Sequence, residues 1–162
     1  MMRHTIHLLM MASLLVTAPA AATAQDSHAH TVITMSLEAQ EAAKVVDAFH
    51  AALVNGDGAA AAALLAVDAL IFESGHAERS RVEYASHHAG ADAAYAAAVP
   101  SKLTQRSGFV EGSAAWIVSE SRATGSYKDK PVDRVTTETM ILRKAAEGWR
   151  IVHIHWSSRA AT

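Results

Sequence analysis

The stretch that decides the fold lies near the C-terminus and reads GWRIVHIHWSSR (residues 148–159). It follows Glu147 at a turn signal and is rich in β-branched and aromatic residues, which is typical of a strand. Three further strand-like segments precede it and are separated by short turns; they cover 102–110, 114–126 and 132–144. Consecutive hairpins of this kind predict a curled antiparallel sheet.

The residues before this sheet show the apolar spacing of helices. The patterns predict a helix over 37–53 capped by Ser36, a short helix over 58–66, a strand over 67–75 and a third helix from Ser80 to Val99. Helices followed by a long meander indicate the α+β class, with three N-terminal helices packed on one face of the sheet.

The first 24 residues have the pattern of a secretory signal peptide. Arg3 precedes an apolar run that is too short to span a bilayer, and the run ends at small residues up to Ala24. We expect cleavage after Ala24, a flexible lead-in over 25–36 and one domain over 37–159. The mature protein is then expected in the periplasm or outside the cell.

The charge balance argues against two classes of partner. The chain has 14 basic and 16 acidic residues, a net charge of −2, and no cysteine. This gives no electrostatic case for binding nucleic acid or an anionic membrane surface. Without disulfides, stability must come from packing.

The order of elements resembles the nuclear-transport-factor-2-like superfamily, including its small secreted bacterial SnoaL-like members. The final strand is similar to that of the association domain of calcium/calmodulin-dependent protein kinase II, through Trp149, Val152, His153, His155 and Ser157. The resemblance covers roughly 37–159. It implies a cone in which a curved sheet wraps a long helix around a pocket, and a homodimer formed through the sheet. The superfamily contains binding modules as well as isomerases, dehydratases and cyclases, so fold alone does not give the chemistry.

The first hypothesis is an exported protein that binds a small apolar molecule or serves as an oligomerisation domain. By resemblance, the arginines that hold an anion in the kinase domain fall here on Met140 and Trp156, which favours a neutral or apolar ligand. The expected pocket residues are Phe49, His50, Tyr84, Met140 and Trp156.

The second hypothesis is a lyase or isomerase. Tyr84, His88 and Asp92 follow one another at i, i+4 and i+8 on the third helix, so they lie along one stripe. An imidazole oriented by a carboxylate, with a phenol nearby, can act as a general acid–base site. The competing interpretation is an ordinary pair on a helix surface.

The third hypothesis is metal binding. His153 and His155 are two residues apart on one strand, and His76 precedes the third helix. Neutral imidazole is a frequent ligand of zinc and copper. Strict alternation instead places both strand histidines with Trp149 on the outer face and Trp156 toward the pocket, where the histidines would be structural or lie in a dimer contact. No motif of a hydrolase, nucleotide-binding protein or zinc protease is present, and no other cofactor is predicted.

Overall fold

The computed structural model describes residues 35–161. The predicted signal peptide, and all but the last two residues of the predicted lead-in, lie outside this range. The helices are α1 (Leu37–Val54), α2 (Gly58–Ala63), α3 (Arg81–His87) and α4 (Ala89–Ala98). The strands are β1 (Leu65–Glu73), β2 (His76–Glu78), β3 (Ser101–Glu111), β4 (Ala114–Tyr127), β5 (Lys130–Ala145) and β6 (Gly148–Ala160).

The predicted helix caps are present. Ser36 Oγ accepts a hydrogen bond from the Ala39 amide at 3.2 Å, and Ser80 Oγ accepts one from the Glu83 amide at 3.1 Å. These side chains satisfy amide groups that have no partner inside the first turn. The third helix is two helices rather than one, because the chain bends at His88. The bend keeps its backbone hydrogen bonds, since the His88 amide still donates to Tyr84 and the His88 carbonyl accepts from Asp92.

The six strands of the described region form one curved mixed sheet in the order β2-β1-β6-β5-β4-β3. The α+β class is confirmed, and the meander from β3 to β6 follows the predicted segments closely. The all-antiparallel arrangement is wrong at one position, because β1 pairs with β6 in parallel. The long connection between these two strands contains two helices and four strands, and it returns the chain to the same end of the sheet, as a parallel pair requires.

A β-bulge in β6 changes which face each side chain occupies. Leu142 pairs with Ile151, but the preceding residue Ile141 pairs with His153, so Val152 is an extra residue. One extra residue reverses the alternation of a strand. Trp149 is therefore buried on the inner face with Trp156, and the prediction that it shares a face with the histidines is wrong.

The core lies between α1 and the inner face of the sheet. Phe49 of α1 and Met140, Ile151 and Ile154 of the sheet are fully buried. Each such side chain contributes about 1.5–3 kcal/mol by leaving water. None of the helices within residues 35–161 has the length and apolarity needed to cross a bilayer.

Candidate functional site

A cavity of about 120 Å³ lies between the β1–β2 hairpin and the helices α3 and α4. Ile71 and Trp156 give it apolar walls. Most of its remaining wall consists of titratable side chains, namely Glu73, His76, Glu78, Tyr84, His88 and Asp92. A cavity with convergent polar groups is the expected form of a small-molecule site.

The β1–β2 hairpin places four of these residues on one face. Its turn consists of Ser74 and Gly75, both with positive φ (51° and 84°), which is the geometry of a two-residue hairpin. The turn pairs Glu73 with His76 and Ile71 with Glu78. Because paired residues lie on the same side of a sheet, all four side chains point toward the helices.

The first polar pair of the cavity is Tyr84 and Asp92. The Tyr84 hydroxyl donates to Asp92 Oδ2 at 2.9 Å, across the bend between α3 and α4. Burial and the adjacent Asp92 charge raise the pKa of Tyr84 well above its ordinary range, so the phenol keeps its proton and acts as a donor. Burial also raises the pKa of Asp92, although the Tyr84 hydrogen bond and the nearby His88 partly oppose this.

The second polar pair is His88 and Glu78. His88 Nδ1 contacts Glu78 Oε1, and the Glu78 side chain is buried. With Nδ1 donating to the carboxylate, Nε2 keeps a lone pair that can accept a proton. The sequence predicts Asp92 as the carboxylate that orients His88; the structure gives this place to Glu78 and binds Asp92 to Tyr84 instead.

Glu78 is a site residue that the sequence reasoning missed. The available signal was its position two residues after His76, just beyond the Ser74-Gly75 turn, because alternate residues of a short strand share a face. Pairing across the two-residue turn would have joined both residues to Glu73, which lies opposite His76.

The charge of the cavity favours some ligands over others. Glu73 lies at its exposed rim, where partial burial and the Asp92 charge raise the pKa of Glu73. The His76 and His88 rings are 6.2 Å apart between centroids. Three carboxyl groups thus face two imidazoles, and the described wall contains neither lysine nor arginine. An anionic ligand would meet repulsion here.

The residues predicted for the apolar pocket are distributed over three places. Tyr84 and Trp156 line the cavity, whereas Phe49 and Met140 are fully buried in the core. His50 lies at another position, with its Nε2 atom 2.8 Å from Glu138 Oε2. Two of the five predicted residues thus line the cavity, whose other walls carry mainly titratable side chains.

The predicted metal-binding histidines do not come together. His153 and His155 lie on the outer face of β6, where His153 Nδ1 is 3.0 Å from the Leu70 carbonyl oxygen. His76 lies on the inner face, at the cavity. In the part of the chain that the structure describes, no three His, Asp or Glu side chains are grouped closely enough to hold a metal ion.

Comparison with known proteins now defines the class. The model of the SnoaL-like domain family matches residues 42–161, so the chain belongs to this family. It is similar to the crystal structure of a candidate ketosteroid isomerase from Shewanella frigidimarina, with 42% identity over 72% of this chain and 94% of that one, and a TM-score of 0.68. No curated protein matches the chain.

Two more distant structures share the fold. One is a candidate dehydratase of the NTF2-like family from Streptomyces avermitilis, with 17% identity, coverage of 76% and 97%, and a TM-score of 0.66. The other is a candidate calcium/calmodulin-dependent protein kinase II association domain from Xanthomonas campestris, with 20% identity, coverage of 76% and 89%, and a TM-score of 0.65. Together with the match to the SnoaL-like domain family, these structures agree with the predicted superfamily, which is confirmed.

Proposed function

We propose that this protein is an enzyme that moves protons at the carbon next to a carbonyl group, as isomerases and dehydratases do. The observation that carries the proposal is the meeting of two proton-handling pairs, Tyr84–Asp92 and His88–Glu78, at one cavity. Perturbed carboxyl groups in a cavity are characteristic of acid–base sites.

Each pair has its own role in the proposed reaction. His88 Nε2 removes the proton from the substrate carbon, and Glu78 stabilises the imidazolium that results. The carbonyl oxygen gains the electron pair and takes a proton from Asp92, which holds protons more readily because burial raises its pKa. Tyr84 fixes the Asp92 carboxyl group through Oδ2 and leaves Oδ1 for the substrate. The His88 imidazolium then gives its proton to another carbon, which completes isomerisation, or to a β-hydroxyl that leaves as water, which completes dehydration. In both cases the carbonyl re-forms and the enol hydroxyl returns its proton to Asp92.

The size of the cavity limits the substrate. An engineered cavity of about 150 Å³ holds benzene, so about 120 Å³ admits a molecule of roughly six non-hydrogen atoms. A steroid skeleton is far larger. The similarity to a candidate ketosteroid isomerase therefore supports the type of reaction and not the steroid. The three carboxyl groups of the cavity further favour a neutral substrate over an anionic one.

The test is catalysed exchange of α-protons in D₂O, followed by NMR with acetone, butanone and cyclohexanone. We expect exchange by the wild-type protein, and a decrease of about 10²–10⁴-fold in His88→Ala. The matched control is His87→Ala, because His87 is exposed and does not line the cavity. Equal rates in the two variants, or no exchange with any ketone, would contradict the proposal. Ligand-induced melting shifts without exchange would instead indicate a binding module.

We also propose that the protein forms a homodimer through the outer face of the sheet. Two rows of paired residues on this face contain His153 and His155 and include the exposed apolar side chains Leu70, Phe72, Phe109 and Val118. Contiguous apolar patches on a protein surface commonly mark interfaces. Light scattering should give twice the monomer mass, and Val118→Glu should halve it; a wild-type monomer would refute this.

The export prediction stays a proposal as well. It is supported by the apolar run and by the small residues that end at Ala24. N-terminal sequencing of protein recovered from the periplasm or the medium should begin at Gln25. Recovery of an uncleaved chain from the cytoplasm would exclude it.

A further inference from the structure

A buried acid lies behind the cavity and takes no part in the proposed proton transfers. Glu138 of β5 is only 8% exposed. Its Oε2 accepts from Trp156 Nε1 at 2.8 Å and also lies 2.8 Å from His50 Nε2. Its Oε1 is buried with no hydrogen-bond partner in residues 35–161. Burying a carboxylate with one free oxygen is unfavourable, so a role beyond packing is indicated.

The indole of Trp156 connects this acid to the cavity. Glu138 and Trp156 are paired residues of β5 and β6, so their side chains lie on the same inner face. The indole forms part of the cavity wall, and its ring centroid lies 6.2 Å from that of Phe49. The indole is thus held by packing on one side and by a hydrogen bond at its nitrogen.

The surroundings keep the acceptor charged. Burial alone would raise the pKa of Glu138, but hydrogen bonds from His50 and Trp156, together with the charge of Arg106, lower it. Arg106 is held in place by Ser119, to which its Nε donates at 3.1 Å. A charged acceptor makes a stronger hydrogen bond to the indole than a neutral one does.

We propose that Glu138 is a positioning residue that fixes the Trp156 indole as a wall of the cavity and thereby limits the size of the substrate. The second part of this inference rests on the proposed function. Glu138 itself is placed away from the reacting groups, since it is absent from the cavity lining. Without its hydrogen bond, the indole has no polar partner in the described residues and can turn from the wall, which enlarges the cavity.

The experiment compares Glu138→Leu, which removes the acceptor, with Glu138→Gln, which keeps a carbonyl oxygen in its place. Glu120→Gln is the surface control, because Glu120 is exposed on the neighbouring strand. The first readout is the Trp156 indole N–H signal in ¹⁵N-labelled full-length protein. We expect it to shift and to exchange faster with solvent in Glu138→Leu, to change less in Glu138→Gln and to stay unchanged in the control.

The second readout is the ratio of the α-proton exchange rates of cyclohexanone and acetone. We expect Glu138→Leu to raise this ratio about tenfold, because one methylene of pocket space has effects of that order, and Glu138→Gln to restore most of the wild-type ratio. If Glu138→Leu does not fold, Trp156→Phe removes the donor while keeping a ring, and the same rise in the ratio is expected.

The two readouts distinguish failure of the positioning role from failure of the size limit. An unchanged indole signal in folded Glu138→Leu overturns the positioning role, and a shifted signal with an unchanged ratio overturns the size limit. A wild-type protein that exchanges no ketone contradicts the proposed function alone, since the indole signal still tests the contact.

Discussion

Removal of the Tyr84 hydroxyl tests how much its hydrogen bond stabilises the charged form of Asp92 in the folded protein. In Tyr84→Phe the ring can still pack against Phe49, whose centroid is 6.3 Å away, so the main loss is the 2.9 Å hydrogen bond to Asp92. A hydrogen bond to a charged group contributes about 1.5–3 kcal/mol, and one between neutral groups about 0.5–1.5 kcal/mol. For a domain of this size, we expect the melting temperature to fall by about 5–15 °C at a pH where Asp92 is charged.

The effect of this substitution should depend on pH in a definite direction. Burial raises the pKa of Asp92 in the folded protein above its unfolded value. The contribution of Asp92 to the stability of the folded protein is therefore present at low pH, where Asp92 is protonated, and is lost as the pH rises through the folded pKa of Asp92. The Tyr84 hydrogen bond opposes this shift, so its removal raises the pKa further. Tyr84→Phe should consequently lower the melting temperature more at pH 8 than at pH 4.

Thermal unfolding followed by circular dichroism at pH 8 and pH 4 measures the difference. Tyr95→Phe is the matched control, because Tyr95 packs edge-on against Tyr127 and does not line the cavity. At pH 4 we expect a loss of about 2–7 °C in Tyr84→Phe, as for a neutral hydrogen bond. A loss that is equal at both pH values, or no larger than that of the control, would refute the reasoning.

Four further predictions concern the site, the core and helix α4. Asp92→Asn should raise the melting temperature at pH 8 but not at pH 4, because the variant buries no charge at this position. Its rate of α-proton exchange should fall about 10²-fold or more. A lower melting temperature at pH 8 would contradict this. Glu78→Gln should reduce exchange by about 10–100-fold with the fold intact by circular dichroism, since a neutral amide stabilises an imidazolium less than a carboxylate does. Gly108→Ala should cost about 1–3 kcal/mol in urea unfolding, because its Cβ would lie 2.8 Å from the Trp116 carbonyl oxygen. Gly90→Ala, which meets nothing within 4 Å, should instead stabilise α4 by up to about 1 kcal/mol.

The elements that were predicted well depend on local interactions. The Ser36 and Ser80 caps bind amides three residues away, and the hairpin turns between β3 and β6 connect neighbours in the chain. Capping, helical spacing and turn geometry involve residues that are close in sequence, so a single chain is enough to recognise them.

The candidate site was predicted in part. Tyr84, His88 and Asp92 are indeed close to one another, because helical spacing brings them to one side of α3 and α4. Their bonding partners were not predicted correctly, since Glu78 reaches His88 from a different element. Which of two carboxylates meets an imidazole depends on how a hairpin docks on a helix, and no local pattern records that.

The amino-acid sequence by itself determined the α+β class, the family resemblance and the titratable character of the third helix, because periodicity and residue chemistry are properties of short segments. Only the tertiary structure decided the parallel pairing of β1 with β6, the bulge at Val152 and the link from Glu138 to Trp156. These features join residues that are distant in the chain or shift a register by one position. The free energy that stabilises them comes from packing the whole sheet around α1.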